Sequence, residues 1–138
     1  EERAGALSPD NRFLAYESNE SGRGEVYVRP YPDLTPQVRI STEGGMAPRW
    51  SRDGRELHYA TADSLMAVSV SSEPNWRAAT PRRLFPIKGY LNGFTYALAA
   101  EGEGFVAVRG AKDPGPPQIN VILDWSSELR RLLDPRTR

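Results

Sequence analysis

The chain has 138 residues, which is enough for one ordinary domain with a sizeable core. Its 18 Lys and Arg residues balance 18 Asp and Glu residues, so it lacks the basic excess that nucleic-acid binding usually requires. It has no cysteine, which excludes disulfides and thiolate chemistry, and no apolar run approaches the roughly 20 residues that cross a bilayer. We therefore expect a water-soluble segment that contacts neither nucleic acid nor membrane.

The first unit is organised around a turn at Ser8-Pro9-Asp10-Asn11. Pro at the second position fixes φ at about −65°, as a type I turn requires. Asn at the last position tolerates the left-handed backbone that leads into the following strand. The alternation of Leu14 and Tyr16 then predicts a strand, and two more β-rich runs follow at 25–31 and 36–41. With a first strand ahead of the turn, residues 1–45 are predicted to form one four-stranded unit.

The same pattern returns forty-three residues later. Five residues of the first unit, Ser8, Asp10, Arg12, Leu14 and Tyr16, recur as Ser51, Asp53, Arg55, Leu57 and Tyr59. Gly54 takes the last position of this second turn, where glycine is favoured. A repeat of this length indicates a repeated piece of architecture, so Ser8, Pro9, Asp10, Ser51, Asp53 and Gly54 are interpreted as structural turn residues.

The second and third units follow the same plan with less regularity. Runs at 64–70 and 82–86 predict further strands of a unit spanning 46–87. A degenerate third copy of the repeat at 96–108 is followed by the β-rich run 118–125. Together they predict an incomplete unit of three strands over 88–125. Residues 126–133 carry a Ser cap and leucines at helical spacing, which predicts a short C-terminal helix.

The two turn-and-strand motifs, LSPDNRFLAY at 7–16 and WSRDGRELHY at 50–59, resemble the repeat motif of TolB-type, WD40-like β-propellers. The resemblance implies an all-β fold of three tandem four-stranded propeller blades, the last one incomplete, with a short C-terminal helix. Residues 26–59 and 116–133 are also similar to the C-terminal propellers of bacterial receptor-like serine/threonine protein kinases. In those kinases the propeller follows a membrane span, which implies an extracytoplasmic or periplasmic location.

The function implied by this resemblance is non-catalytic: binding or scaffolding in the sensor region of a larger protein, with no cofactor. No glycine-rich loop, His-Arg-Asp or Asp-Phe-Gly of a kinase is present. Two enzymatic alternatives stay open. One is an accessory propeller of a hydrolase or peptidase, and the other is a free-standing propeller hydrolase or lectin with a site in the central channel.

Few side chains are candidates for catalysis or metal binding. His58 is the only histidine and alternates with Leu57 and Tyr59, so it is predicted to lie on the opposite sheet face in a structural role. Asp10 and Asp53 could be taken for paired catalytic acids, but each belongs to a repeated turn, and every repeat needs its turn. We predict no catalytic and no metal-binding residue.

Exposed aromatic residues are the candidates for partner binding. Three of them lie in segments predicted to be loops, where aromatic side chains can anchor a protein or small ligand: Tyr31, Trp76 and Tyr90. Local packing of the same side chains is the competing interpretation. The identity of the ligand does not follow from the sequence.

Three blades do not close a ring, since propellers contain typically four to eight blades. The two outer blades would each expose an apolar face of several hundred Å², more than a soluble monomer normally tolerates. We expect either that the segment belongs to a longer chain, as its abrupt polar start EERAGALSPD suggests, or that two copies form a head-to-tail homodimer with six blades.

Overall fold

The computed structural model of the chain describes residues 1–72, 76–87, 96–99, 104–107 and 121–122. Within these ranges all regular elements are β-strands, and they pair into three antiparallel sheets. The first two sheets belong to one compact unit and the third sheet to another. No helix in the described part of the chain is long and apolar enough to cross a bilayer.

The first sheet has the four strands that the sequence predicts, in the order β1-β2-β3-β4. They are β1 (Glu2–Leu7), β2 (Phe13–Ser18), β3 (Glu25–Pro30) and β4 (Val38–Arg39). The last strand is shorter than the run 36–41, because only Val38 and Arg39 pair with β3 as a ladder. Ile40 nevertheless donates its N–H to the carbonyl of Val26 at 2.8 Å, so the edge stays tied to the sheet.

The second sheet contains β5 (Met46–Trp50), β6 (Glu56–Ala60), β7 (Ser64–Ser71), β8 (Arg77–Ala78) and β9 (Arg82–Pro86). This is one strand more than predicted, because two short strands share one edge of β7. β8 pairs with the C-terminal end of β7 and β9 with its N-terminal part. Pro81, between them, has no N–H to donate, which is consistent with the interruption of the outer strand at this point.

The third sheet consists of β10 (Tyr96–Leu98), β11 (Phe105–Ala107) and β12 (Val121–Ile122) in that order. Tyr96 and Phe105 are both buried, and their ring centroids lie 6.5 Å apart. Three strands are thus present among the described residues of this unit. The predicted helix at 126–133 and most of the run 118–125 lie outside the described residues.

The core lies between the first two sheets. Ala15, Val26, Val28 and Ile40 of the first sheet form a cluster with Trp50, Leu57, Tyr59 and Val68 of the second. The Trp50 indole Nε1–H also donates to the carbonyl of Ala6 in β1 at 3.0 Å. Because side chains alternate along a strand, His58 lies on the face of β6 opposite Leu57 and Tyr59.

The repeat extends to a backbone irregularity ahead of each turn. β1 and β5 both contain a register shift against the following strand. At each shift an alanine has a left-handed backbone: Ala4 and Ala47 both have φ of 51°. A bulge of this kind bends its strand, so both sheets enter their turns with the same local geometry.

A buried carboxylate fixes the crossover from the first sheet to the second. Glu25 is fully buried and accepts hydrogen bonds from Ser41 Oγ, from Arg23 Nε at 2.6 Å and from Gly44 N at 3.2 Å. Burial works to raise the pKa of Glu25, but these hydrogen bonds together outweigh it, so the pKa lies below its usual value. The crossover has no room for a side chain at Gly45, because a Cβ there would lie only 2.7 Å from Ser41 Oγ.

Candidate binding groove between the repeated turns

The turn between β1 and β2 is closed by its own serine and aspartate. Ser8 Oγ donates to Asp10 Oδ1 at 2.5 Å and accepts from the Phe13 N–H at 3.0 Å. The Arg12 N–H donates to the same aspartate oxygen at 3.1 Å, and the Asn11 N–H donates to the Ser8 carbonyl at 2.8 Å. Asn11 has φ of 57°, the left-handed geometry that its position requires.

The turn between β5 and β6 has the same hydrogen bonds. Ser51 Oγ donates to Asp53 Oδ1 at 2.7 Å and accepts from the Glu56 N–H at 2.8 Å. The Arg55 N–H donates to Asp53 Oδ1 at 3.0 Å, and Gly54, with φ of 70°, takes the place of Asn11. Both aspartates thus use one carboxylate oxygen inside their own turn.

The two turns should respond alike to removal of their hydroxyl. Ser8→Ala and Ser51→Ala each delete one donor and one acceptor, and we expect each to lower the free energy of unfolding by about 1–2 kcal/mol. Urea denaturation of both variants beside the parent chain measures this. A loss in only one of the two would contradict the structural equivalence of the turns.

Acid should weaken both turns. The pKa of Asp10 is lowered first by the Ser8 hydroxyl, and that of Asp53 first by the Arg55 N–H. A carboxyl whose pKa is lowered in the folded state stabilises that state above its unfolded pKa of about 3.9. The stabilisation is lost as the pH falls through the lower, folded pKa.

The two turns border a groove at one end of the paired sheets, which we call the turn groove. Its volume is about 680 Å³, and Ser8, Asp10, Trp50, Asp53, Ser71 and Trp76 are among the residues that line it. Pro9 and Gly54 bring the turns together, since a Cβ on Gly54 would lie 3.5 Å from Pro9 Cδ. The predicted turn residues of both repeats, Ser51 excepted, therefore line one recess.

Trp76 separates this groove from a second recess, the apolar cleft. The ring centroids of Trp76 and Phe13 lie 5.8 Å apart, and we call this pair the aromatic wall. Both rings line the turn groove and the apolar cleft, which has a volume of about 280 Å³ and includes Val28, Pro36 and Val38. Trp76 is predicted either to anchor a partner or to pack locally. It is half-buried, so it packs against Phe13 and still presents part of its surface to the two recesses.

The other two predicted partner-binding aromatics lie elsewhere. Tyr31 is 47% exposed at the end of β3 and lines neither the turn groove nor the apolar cleft. Tyr90 lies outside the described residues. The structure therefore places one of the three predicted loop aromatics, Trp76, beside the repeated turns.

The described residues contain no group of three or more His, Asp or Glu side chains that could hold a metal ion. His58 is buried, and its Nε2 lies 3.3 Å from Glu56 Oε2. Burial lowers the pKa of His58, with Glu56 opposing the shift, so the ring is held mainly neutral. Ser8 and Ser51 pair with carboxylates of their own turns rather than with this imidazole.

Comparison with solved structures identifies the fold. The chain superposes on TolB from Acinetobacter baumannii, a β-propeller protein, with a TM-score of 0.58 and 19% sequence identity. The match covers 86% of this chain and 29% of TolB. The chain has the fold of part of a β-propeller.

A second propeller-like neighbour is a putative 6-phosphogluconolactonase from Bacteroides uniformis, with a TM-score of 0.56 and 16% identity. That match covers 89% of this chain and 41% of the other protein, so the chain spans less than half the length of either neighbour. The sequence matches no protein-family model and no curated protein. Because the chain has the fold of part of a propeller, the first two sheets are called the first and second blades below.

Proposed function

We propose that the chain is a non-catalytic propeller segment that binds a protein or small ligand, and that the turn groove is its binding site. The observation that carries the proposal is the use of the polar groups in this groove. The Ser8 hydroxyl and one oxygen each of Asp10 and Asp53 are engaged inside the turns themselves. Phe13, Trp50 and Trp76 supply aromatic walls to the recess, a lining that suits recognition of a ligand.

Selection of a randomised twelve-residue peptide library on the whole chain tests the site. Trp76→Ala should weaken the selected peptides at least about tenfold, because a buried aromatic anchor typically dominates binding. Tyr31→Ala is the matched control, since Tyr31 is exposed and lies outside the groove; we expect a change below about twofold. Peptides that lose affinity with Tyr31→Ala and keep it with Trp76→Ala would contradict the proposed site.

A lactone-hydrolysis assay tests the non-catalytic part of the proposal. The fold is shared with a putative 6-phosphogluconolactonase, so 6-phosphogluconolactone is a suitable probe. We expect no acceleration over the spontaneous reaction. Turnover that disappears in the double variant Asp10→Asn/Asp53→Asn would overturn the proposal.

We further propose that the parent protein is a receptor-like serine/threonine kinase with this propeller at its extracytoplasmic C-terminal end. The support is the sequence resemblance over residues 26–59 and 116–133. The alternative parent is a hydrolase or peptidase with an accessory propeller. The complete reading frame separates the two: kinase motifs and a membrane span upstream favour the first, and a Gly-x-Ser-x-Gly motif favours the second.

The first blade supports a further part of this proposal, that another blade covers its outer face. Trp50, Leu57 and Tyr59 of the second blade pack on the first blade. Their counterparts in the repeat are Leu7, Leu14 and Tyr16; Leu7 is 42% exposed and Leu14 half-buried, whereas Tyr16 is buried. The covering blade would come from a longer chain or from a second copy in a six-bladed homodimer.

A further inference from the structure

The two repeated turns differ in the residue that follows the aspartate. Asp10 of the first turn precedes Asn11, whereas Asp53 of the second turn precedes Gly54. Asp53-Gly54 is the only Asp-Gly pair in the sequence. Because glycine has no Cβ, no side chain shields the Gly54 nitrogen from the carboxyl carbon of Asp53. The second turn therefore carries a reactive pair that the first turn lacks.

The reaction open to this pair is a rearrangement of the main chain. The Gly54 nitrogen loses its proton and bonds to Asp53 Cγ, and the carboxylic acid loses its hydroxyl, so one water leaves and a five-membered imide forms. Water then adds to the imide. Cleavage between the Gly54 nitrogen and the main-chain carbonyl carbon of Asp53 leaves isoaspartate, whose main chain runs through Cβ and Cγ. The net change is an isomerisation, and water is the only other reactant.

The turn restrains the carboxylate that this reaction needs. Asp53 Oδ1 accepts from Ser51 Oγ at 2.7 Å and from the Arg55 N–H at 3.0 Å. The Arg55 N–H, followed by the Ser51 hydroxyl, lowers the pKa of Asp53. The carboxyl group is therefore ionised at neutral pH, and an ionised carboxylate has no hydroxyl to release as water.

The turn also restrains the nitrogen. The Gly54 N–H donates to the Ser51 carbonyl at 3.0 Å, and this hydrogen bond must break before the nitrogen can attack. Ser51 thus holds both reactants, the carboxylate through its hydroxyl and the nitrogen through its carbonyl. Water has access to the pair, since 61% of the Asp53 side chain is exposed.

We propose that Asp53-Gly54 is a site of spontaneous isoaspartate formation, which the folded turn suppresses and which loss of the Ser51 hydroxyl opens. Isoaspartate lengthens the main chain by one carbon and shortens the side chain, so the product cannot keep the present hydrogen bonds to Ser51 and Arg55. The proposal rests on the chemistry of the turn and is independent of the turn groove as a binding site.

Long incubation of the whole chain at neutral pH, followed by peptide mapping, tests the site. Enzymatic methylation with a labelled methyl donor marks isoaspartate, and mass spectrometry locates it. We expect formation at residue 53 to be at least about tenfold faster in Ser51→Ala than in the folded parent, because one hydrogen bond to a charged group is worth about that factor. The parent chain unfolded in guanidinium should react at least as fast as Ser51→Ala.

Ser8→Ala is the matched control for stability. It removes the equivalent hydroxyl from the first turn and leaves the second turn intact, so it should react at residue 53 at the parent rate. Ser51→Thr keeps a hydroxyl and should also react at the parent rate. The folded and unfolded parent chains test the suppression even if Ser51→Ala is poorly folded.

Exchange of the residue after each aspartate tests the assignment. Gly54→Asn should abolish the product at residue 53, and the double variant Ser8→Ala/Asn11→Gly should form a new product at residue 10. The sequence also contains Asn92-Gly93, which lies outside the described residues. Its peptide is scored separately, because loss of the amide changes its mass.

Three results would overturn the proposal. Equal rates at residue 53 in the folded and unfolded parent chains would mean that the turn gives no protection. Equal acceleration in Ser8→Ala and Ser51→Ala would mean that general destabilisation, rather than the Ser51 hydroxyl, controls the reaction. No product at residue 53 in the unfolded chain would mean that the pair is not a site of isomerisation.

Discussion

Replacing Trp50 by Ala should lower the free energy of unfolding by about 3–5 kcal/mol, the usual cost of deleting a large buried aromatic side chain. Trp50 belongs to the core between the first two blades and is 9% exposed. Its indole also supplies the hydrogen bond to the Ala6 carbonyl, so the substitution removes packing and a polar link between blades together. Urea denaturation followed by far-UV circular dichroism measures the loss.

Trp50→Phe separates the two contributions. It keeps most of the aromatic contact and removes the indole N–H, and we expect a loss of about 1–2 kcal/mol. Trp76→Ala is a further control, because Trp76 is only half-buried, and its loss should be clearly smaller than that of Trp50→Ala. If Trp50→Ala were no more destabilising than Trp76→Ala, the two blades would not share the core described here.

Replacing Glu25 by Ala should cost about 2–4 kcal/mol, because it leaves the buried Ser41 hydroxyl and the Gly44 N–H without their acceptor. Arg23, the ion-pair partner, has 57% of its side chain exposed and recovers hydration, so the cost stays below that of breaking a fully buried pair. Glu43→Gln is the matched control: Glu43 belongs to the same crossover but is exposed, and its loss should be within about 0.5 kcal/mol.

The same carboxylate makes stability depend on pH in a defined direction. The pKa of Glu25 is lowered in the folded chain, so its contribution is present above the unfolded pKa of about 4.3 and is lost as the pH falls through the folded pKa. The stability difference between the parent chain and Glu25→Gln should therefore shrink on acidification from pH 7 to below about pH 4. A difference that grows in acid would mean that Glu25 is protonated in the native state.

Local signals in the sequence predict much of the fold. A Ser-x-Asp turn followed by alternating apolar residues is sufficient to place β2 and β6, because the turn and the strand each depend on neighbouring residues. The run 82–86 coincides with β9 for the same reason.

Contacts between distant residues could not be predicted in the same way. Glu25 opens an apolar strand and gives no sign that residues 41 and 44 will surround it, although a lone Glu ahead of VYV is a weak hint of a buried partner. The bond from Trp50 to Ala6 depends on how two blades stack rather than on either segment alone. Trp76 was ambiguous because its half-buried position depends on Phe13, which belongs to the other blade.

The central claim is that the repeated segments are equivalent pieces of architecture whose stacking builds the turn groove. A NOESY spectrum of the isotope-labelled chain tests it most directly. We expect the Trp50 indole N–H to show a cross-peak to β1 protons near Ala6, and the Ser8 and Ser51 turns to show matching sets of amide cross-peaks. Trp50 contacts confined to its own sheet, together with dissimilar patterns in the two turns, would contradict the account.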